Sequence, residues 1–142
     1  MYNMRTYYAI DIASYVINKC VDNNIRITNL KLQKILYFIQ VEFAKSGRRL
    51  IKEDFYAYKL GPTLPDLYAE FLPYASSSLP WQERSVNIDP NDQIKIDDVL
   101  AFYAPKDVWD LVDLSSKTYP FKYNFEIFGP LSIIPFECMS QK

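Results

Sequence analysis

The clearest pattern of apolar and polar positions lies in residues 27–47. Apolar side chains recur there at spacings of three and four, which places them on one face of a helix. These are Leu32, Ile35, Leu36, Ile39 and Phe43. Thr28 stands where an N-cap hydroxyl accepts an unpaired backbone N–H, and Gly47 stands where the chain leaves the helix with a positive φ. The pattern predicts a helix marked at both ends, with this face in the core.

The opposite arc of the same helix holds polar groups and one aromatic ring. Its members are Lys31, Lys34, Tyr37, Glu42 and Lys45. We expect this arc to be a solvated face. Two other interpretations stay open for Lys34 and Tyr37: the lysine stem covers apolar surface while the ring completes packing, or both side chains contact a partner.

An earlier apolar stripe of helical period lies in residues 5–21. It consists of Ala9, Ile10, Ala13, Val16, Ile17 and Cys20. Residues 22–24, Asp-Asn-Asn, favour a turn because their side chains bond to their own backbone. We therefore expect a first helix that pairs antiparallel with the helix at 27–47.

Residues 54–59 are rich in aromatic side chains and predict a short extended segment. Gly61 and Pro62 then force a change of direction. Pro65 can begin a short third helix, because an N–H at the first helical position would be unpaired anyway. The predicted apolar side of this helix consists of Leu67, Tyr68 and Phe71, and Pro73 is predicted to end the helix.

The second half is less regular. Residues 73–93 contain three prolines and predict a long connection, the segment we expect to be most mobile. Trp81 within it is either a lid packed on the core, the expected role, or an anchor for a partner. Asp97 and Asp98 are predicted to open a helix, and residues 106–117 to form another with Trp109 at the core centre. An irregular tail is expected over 119–142.

Together these elements predict a mainly α fold, a compact single-domain helical bundle over residues 1–142. Its composition of 49% hydrophobic and 23% charged residues is typical of a globular domain that folds without a disulfide or a structural metal. The 16% aromatic content, with twelve tyrosines, indicates half-buried rings, some of which face a partner. No apolar run approaches the roughly twenty residues of a membrane helix. Two cysteines without a signal peptide fit a reducing cytoplasm.

Charge and residue types exclude several function classes. A net charge of −1 gives no positive field for phosphate backbones, so we expect no nucleic-acid partner beyond a local contact at the basic cluster of residues 45–52. The absence of histidine excludes Ser-His and Cys-His catalysis, and Cys20 and Cys138 lack metal-ligand spacing. We expect no catalytic residue, metal or cofactor. Carboxylates that stay open for chemistry are Asp54, Asp66, Glu70, Asp97, Asp98, Asp110 and Asp113.

Three short segments point to a family. Residues 30–38 read LKLQKILYF, and residues 57–62 and 65–68 read AYKLGP and PDLY. Their order, spacing and residue types resemble the Panacea domain, the family of SocA-like antitoxins and phage-associated proteins. The resemblance is close over residues 1–72 and loose over 94–142, where residues 114–120 lack a histidine that the family commonly has.

The resemblance implies a helical domain that neutralises a cognate protein toxin by direct contact. Alternatives are an adaptor that delivers the toxin to a protease and a phage-associated regulator that contacts nucleic acid; a homo-oligomer also stays open. The expected partner site is an aromatic concavity with a lysine at its edge, next to the Gly-Pro turn. In the alternative interpretation, the same residues have only a structural role in packing and in the turn. It comprises Lys34, Tyr37, Tyr58, Gly61, Pro62 and Tyr68, with Trp81 contributed by the long connection.

Overall fold

A computed structural model of the protein describes residues 5–141. The helices in that range are α1 Ala9–Asp22, α2 Asn29–Ala44, α3 Pro65–Phe71, α4 Pro90–Tyr103, α5 Val108–Ser116 and α6 Tyr119–Phe128. Three short strands, β1 Phe55–Tyr58, β2 Gly61–Thr63 and β3 Ser132–Ile134, form an antiparallel sheet in the order β2-β1-β3. The predicted mainly α class is confirmed.

Helix α2 lies at the centre of the fold and contacts α1, α3, α4, α5 and β2. Its predicted apolar face is fully buried. The Thr28 hydroxyl accepts a hydrogen bond from the Lys31 N–H at 3.3 Å, and Gly47 has a φ of 75°. Both predicted ends of this helix are therefore confirmed.

The prediction of a solvated arc on α2 is wrong. Residues 31–40 are all buried, including Lys31, Lys34 and Tyr37; of the five polar-arc residues, only Glu42 and Lys45 reach solvent appreciably. The physical reason is that α5 and β2 cover the arc that the sequence pattern leaves for water. A helix surrounded on all sides is buried all round whatever its periodicity.

The aromatic segment after α2 forms a hairpin. Phe55 and Ala57 of β1 point into the core, and β2 returns antiparallel with Pro62 opposite Ala57. Gly61, with a φ of 106°, is the first residue of this return strand. Pro65 is the first residue of α3, as predicted.

The C-terminal third is more regular than expected. Helix α4 begins at Pro90 rather than Asp97, because the Asp89 carboxylate caps it by accepting from the Asn91 N–H at 2.9 Å. The prediction of an irregular tail is wrong where the chain forms α6 and where it forms β3, the strand that pairs with β1.

Both tryptophans lie outside the core. Trp109, predicted at its centre, is 59% exposed, and Leu111 fills that place. Trp81 is 49% exposed, so the expected packing as a lid is also wrong. The buried side chains of Leu79 and Ile88 instead anchor the connection on either side of Trp81.

Candidate partner-binding site

The predicted site residues on α2 lie inside the protein. Lys34 is fully buried, and its Nζ donates hydrogen bonds to the Pro62 carbonyl oxygen at 3.0 Å and to the Thr63 hydroxyl at 3.4 Å. Burial lowers the pKa of Lys34 to about 7. This side chain therefore joins α2 to β2 and is not presented to a partner.

Tyr37 has a similar structural role one turn further along α2. Its ring packs edge-on against Phe38 and Phe55, with centroids 5.7 and 5.6 Å away. Its hydroxyl shares a hydrogen bond of 2.6 Å with that of Thr118, just before α6. Burial raises the pKa of Tyr37, although hydrogen bonding to Thr118 acts in the opposite direction. The ring completes the core packing.

Amide side chains on α2 hold the backbone of its neighbours. The Gln33 Oε1 accepts from the Leu64 N–H at 2.9 Å. The Gln40 Oε1 accepts from the N–H groups of Leu50 and Ile51 at 3.1 and 2.8 Å. Buried backbone donors need such partners. The polar residues of α2 thus fix the segments that surround this helix.

The remaining predicted residues separate into two groups. Gly61 and Pro62 are buried, and the structure brings them together with Lys34. Tyr58 and Tyr68 are half-buried, and Trp81 is exposed. Tyr68 alone of these three lines the large groove described next.

A groove of about 820 Å³ lies between the N-terminus of α2 and the N-terminus of α5. We call it the α2–α5 groove. Its charged and aromatic lining residues are Arg26, Lys31, Tyr68, Lys106, Asp107 and Trp109. A groove of this size with mixed apolar and polar walls can hold several side chains of a partner.

Lys31 gives this groove its distinctive chemistry. The residue is only 9% exposed, and its ammonium has no hydrogen bond or ion pair with any residue in the part of the chain described. Burial lowers the pKa of Lys31, while Cys20 and Asp107 oppose the shift through space. The stem is buried, and an ammonium that opens on a groove without an acceptor favours an incoming anion.

Sequence reasoning missed this groove. The sequence pattern predicts Lys31 on a solvated face and Trp109 in the core, so neither prediction points to a groove. The one available signal is that Thr28 and Asp107 are both helix-capping residues, since the Asp107 carboxylate accepts from the Trp109 N–H at 3.0 Å. Only the fold shows that the two capped ends lie at one groove.

The basic cluster at residues 45–52 is largely neutralised. The Nη1 and Nη2 groups of Arg48 each donate a hydrogen bond of 2.8 Å to the Asp92 carboxylate, and Arg49 donates one of 2.7 Å to Asp54. Burial acts to raise the pKa of Asp92, but the hydrogen bonds from Arg48 and Tyr7 outweigh it and lower the pKa. Because these arginines are paired with carboxylates, the cluster has little net positive charge with which to bind a phosphate backbone.

Three of the seven acidic residues that stay open for chemistry, Asp54, Asp97 and Asp113, have side-chain partners. Asp97 accepts from the Tyr15 hydroxyl at 2.7 Å, and Asp113 pairs with Lys117 at 2.8 Å. Within residues 5–141, no three Cys, Asp or Glu side chains converge as metal ligands. No helix in the same range is long and apolar enough to cross a membrane.

Comparisons with known proteins agree with the resemblance in the α2 and hairpin segments. A family model described as "Antitoxin SocA-like, Panacea domain" matches residues 32–120, from α2 to the first turn of α6. Antitoxin SocA of Caulobacter vibrioides (strain NA1000 / CB15N) is 39% identical over 61 residues. That alignment covers 42% of this chain and 32% of the relative, so the two share about a third of the relative's length. No solved structure matches the chain significantly.

Proposed function

Because this chain belongs to the SocA-like antitoxin family with a Panacea domain, we propose that it neutralises a cognate protein toxin by direct, non-catalytic contact. The toxin would be the product of the gene beside its own. Binding would cover the toxin's active surface, which requires a rigid scaffold with exposed contact residues.

The observation that carries this proposal is a row of exposed aromatic rings along α6. Tyr119 stacks on Tyr123 with centroids 5.3 Å apart, and Tyr123 meets Phe128 at 6.2 Å. Phe128 is 65% exposed. We call these three rings the α6 aromatic surface. Contiguous exposed aromatic rings of this kind mark protein-binding sites, since tyrosine and phenylalanine bury much area with few rotatable bonds.

The site residues expected from the sequence have two proposed roles. Tyr58, Tyr68 and Trp81 reach the surface and are proposed as direct contacts. Lys34 and Tyr37, with the buried Gly61 and Pro62, are proposed to act from within. They would fix the hairpin and α6, and so the position of the contact residues. The mechanism thus separates a rigid interior from an adaptable surface.

A binding experiment with matched variants tests this proposal. The chain and the adjacent gene product are purified together, and the affinity is measured for Phe128→Ala and Phe102→Ala. Phe102 lies on α4 and is 62% exposed, close to the 65% of Phe128, so it controls for loss of an exposed ring. We expect a complex that Phe128→Ala weakens by about tenfold or more and Phe102→Ala leaves unchanged.

Three other outcomes are informative. Failure of the two proteins to associate would remove the proposed function. A complex that both variants weaken equally would leave the function and reject the α6 aromatic surface. A partner that disappears from cells only when this chain is present would favour an adaptor that delivers it to a protease over simple occlusion.

A further inference from the structure

We propose that the α2–α5 groove receives an acidic segment of the partner protein, with a carboxylate pairing to Lys31 and a neighbouring apolar side chain packing on Trp109. This proposal rests on the proposed function and names the chemistry by which the partner is recognised.

The first argument is the state of Lys31. Its side chain is nine-tenths buried and lines the groove, yet its ammonium donates to no acceptor within residues 5–141. The stem of Lys31 is buried while its ammonium opens on the groove, so an incoming carboxylate can pair with it through a charge-assisted hydrogen bond. A neutral segment would form no such pair.

The second argument comes from the backbone around the groove. The N–H groups of Asn29 and Leu30 in α2, and of Val108 in α5, have no acceptor within the same range and belong to residues that line the groove. The first N–H groups of a helix and the positive end of its dipole both favour an anion. Two helix N-termini therefore act in the same direction as Lys31.

The third argument is the balance of charge. Arg26, Lys31 and Lys106 line the groove against one acid, Asp107, whose carboxylate is already used as the cap of α5. Arg26 donates to the Ser76 carbonyl oxygen at 3.2 Å, and the Lys106 ammonium lies 4.6 Å from the centroid of the Phe102 ring. Of the three cations, Lys31 is the most buried and has the least freedom to point elsewhere, and the other two add a favourable field.

The fourth argument is Trp109, which is 59% exposed although it borders the groove. Tryptophan is among the residues most enriched at binding hot spots, because its ring buries a large area at small entropic cost. A carboxylate alone would not need this ring. A peptide segment, which carries apolar side chains beside its acids, uses both features.

The test uses Trp109 as its own reporter. The chain has two tryptophans, so the variant Trp81→Phe leaves Trp109 as the only indole. Titration of this variant with the purified adjacent gene product should shift the Trp109 emission to shorter wavelength and saturate. In the same background, Lys31→Met keeps the length of the stem and should lower the affinity about tenfold or more. Added salt should weaken the parent more than Lys31→Met.

The matched control is Lys117→Met, which removes a positive charge from the other end of α5. The side chain of Lys117, the residue that follows α5, is 73% exposed and pairs with Asp113 of that helix. Binding should be unchanged in this variant. Trp109→Ala removes the reporter, so its affinity and that of Lys31→Met are also measured by isothermal titration calorimetry. This exposed substitution should not disturb folding, and we expect it to weaken binding as Lys31→Met does. Agreement between the two variants would show that the loss in Lys31→Met is not caused by misfolding.

The outcomes separate this inference from the proposed function. If a stable complex forms but Trp109 emission does not change and Lys31→Met binds like the parent, the groove is not the binding site. The proposed function would then remain intact. No complex at all contradicts both. Sodium phosphate is the probe for a free anion: if it produces the same saturable shift at concentrations comparable to those of the partner, the protein segment is the wrong occupant.

Discussion

The ammonium of Lys34 donates a hydrogen bond of 3.0 Å to the carbonyl oxygen of Pro62. This bond joins α2 to the strand that returns beside β1. It therefore links the two separate segments, at residues 30–38 and 57–62, that resemble the Panacea domain. A lysine in an expected binding site is here a structural element of the core, and its burial has consequences that can be measured.

The first consequence is a pH-dependent stability. The pKa of Lys34 is about 7 in the folded protein and about 10.4 in the unfolded chain. Between about pH 7 and pH 9 the unfolded chain holds a proton that the folded state has lost, so the free energy of unfolding should rise by up to roughly 1.4 kcal/mol per pH unit. The measurement is guanidinium denaturation across that range.

The control is Lys34→Met, in which this rise should be lost. Comparison with the variant is needed because burial raises the pKa of the Cys20 thiol to about 11, which opposes the trend at the alkaline end. Parallel stability curves for the two proteins would show that Lys34 does not titrate in this window.

A second prediction concerns Gly61. An alanine Cβ there would lie 3.1 Å from both the Lys34 Cε and the Ser115 Oγ, in a backbone with a φ of 106°. We expect Gly61→Ala to lower the free energy of unfolding by more than about 2 kcal/mol. Gly129→Ala is the matched control, because its φ is 89° but nothing lies within 4 Å of the added atom. Equal losses in thermal unfolding would contradict the predicted crowding.

Gln40 supports a third prediction. The variant Gln40→Leu would leave the buried N–H groups of Leu50 and Ile51 without an acceptor, at a cost of about 2–3 kcal/mol. Amide hydrogen exchange should become faster at those two residues in particular. Gln82→Leu, which removes one exposed side-chain bond, should change stability by less than about 0.5 kcal/mol. Unchanged exchange at residues 50 and 51 would contradict the assigned role.

The ion pair of Arg48 and Asp92 leads to a fourth prediction. Their side chains are 13% and 4% exposed, so Arg48→Met removes two guanidinium hydrogen bonds from a buried carboxylate, which keeps the bond from the Tyr7 hydroxyl, and should cost about 3 kcal/mol. The double variant with Asp92→Leu should recover part of that loss. Because the pKa of Asp92 is lowered, the stability from this pair should also disappear as the pH falls below about 4. A cost no larger than that of breaking the exposed Lys117–Asp113 pair would refute this account.

The sequence allowed the local elements of the first half to be predicted. Thr28 and Gly47 mark the ends of α2 through capping chemistry, and Pro65 marks the start of α3 through its missing N–H. These signals depend on residues within one helical turn of each other. They can therefore be identified without knowledge of the tertiary contacts.

Burial of polar residues could not be predicted in the same way. Lys34 and Gln40 look like surface residues because the backbone groups that satisfy them, at Pro62 and at residues 50–51, come from distant segments. Trp109 shows the reverse error, since a large ring in an amphipathic helix normally predicts core but here borders a groove. The start of α4 was a missed local signal, because Asp89 and Pro90 form an N-cap and first-turn pair.

The most direct test of the central claim is growth of cells that express the adjacent gene product with and without this chain, followed by size-exclusion chromatography of the co-purified proteins. Neutralisation by direct contact predicts that the chain restores growth and that the two proteins elute as one stable complex. Restored growth with the partner intact and no complex between the two would contradict it.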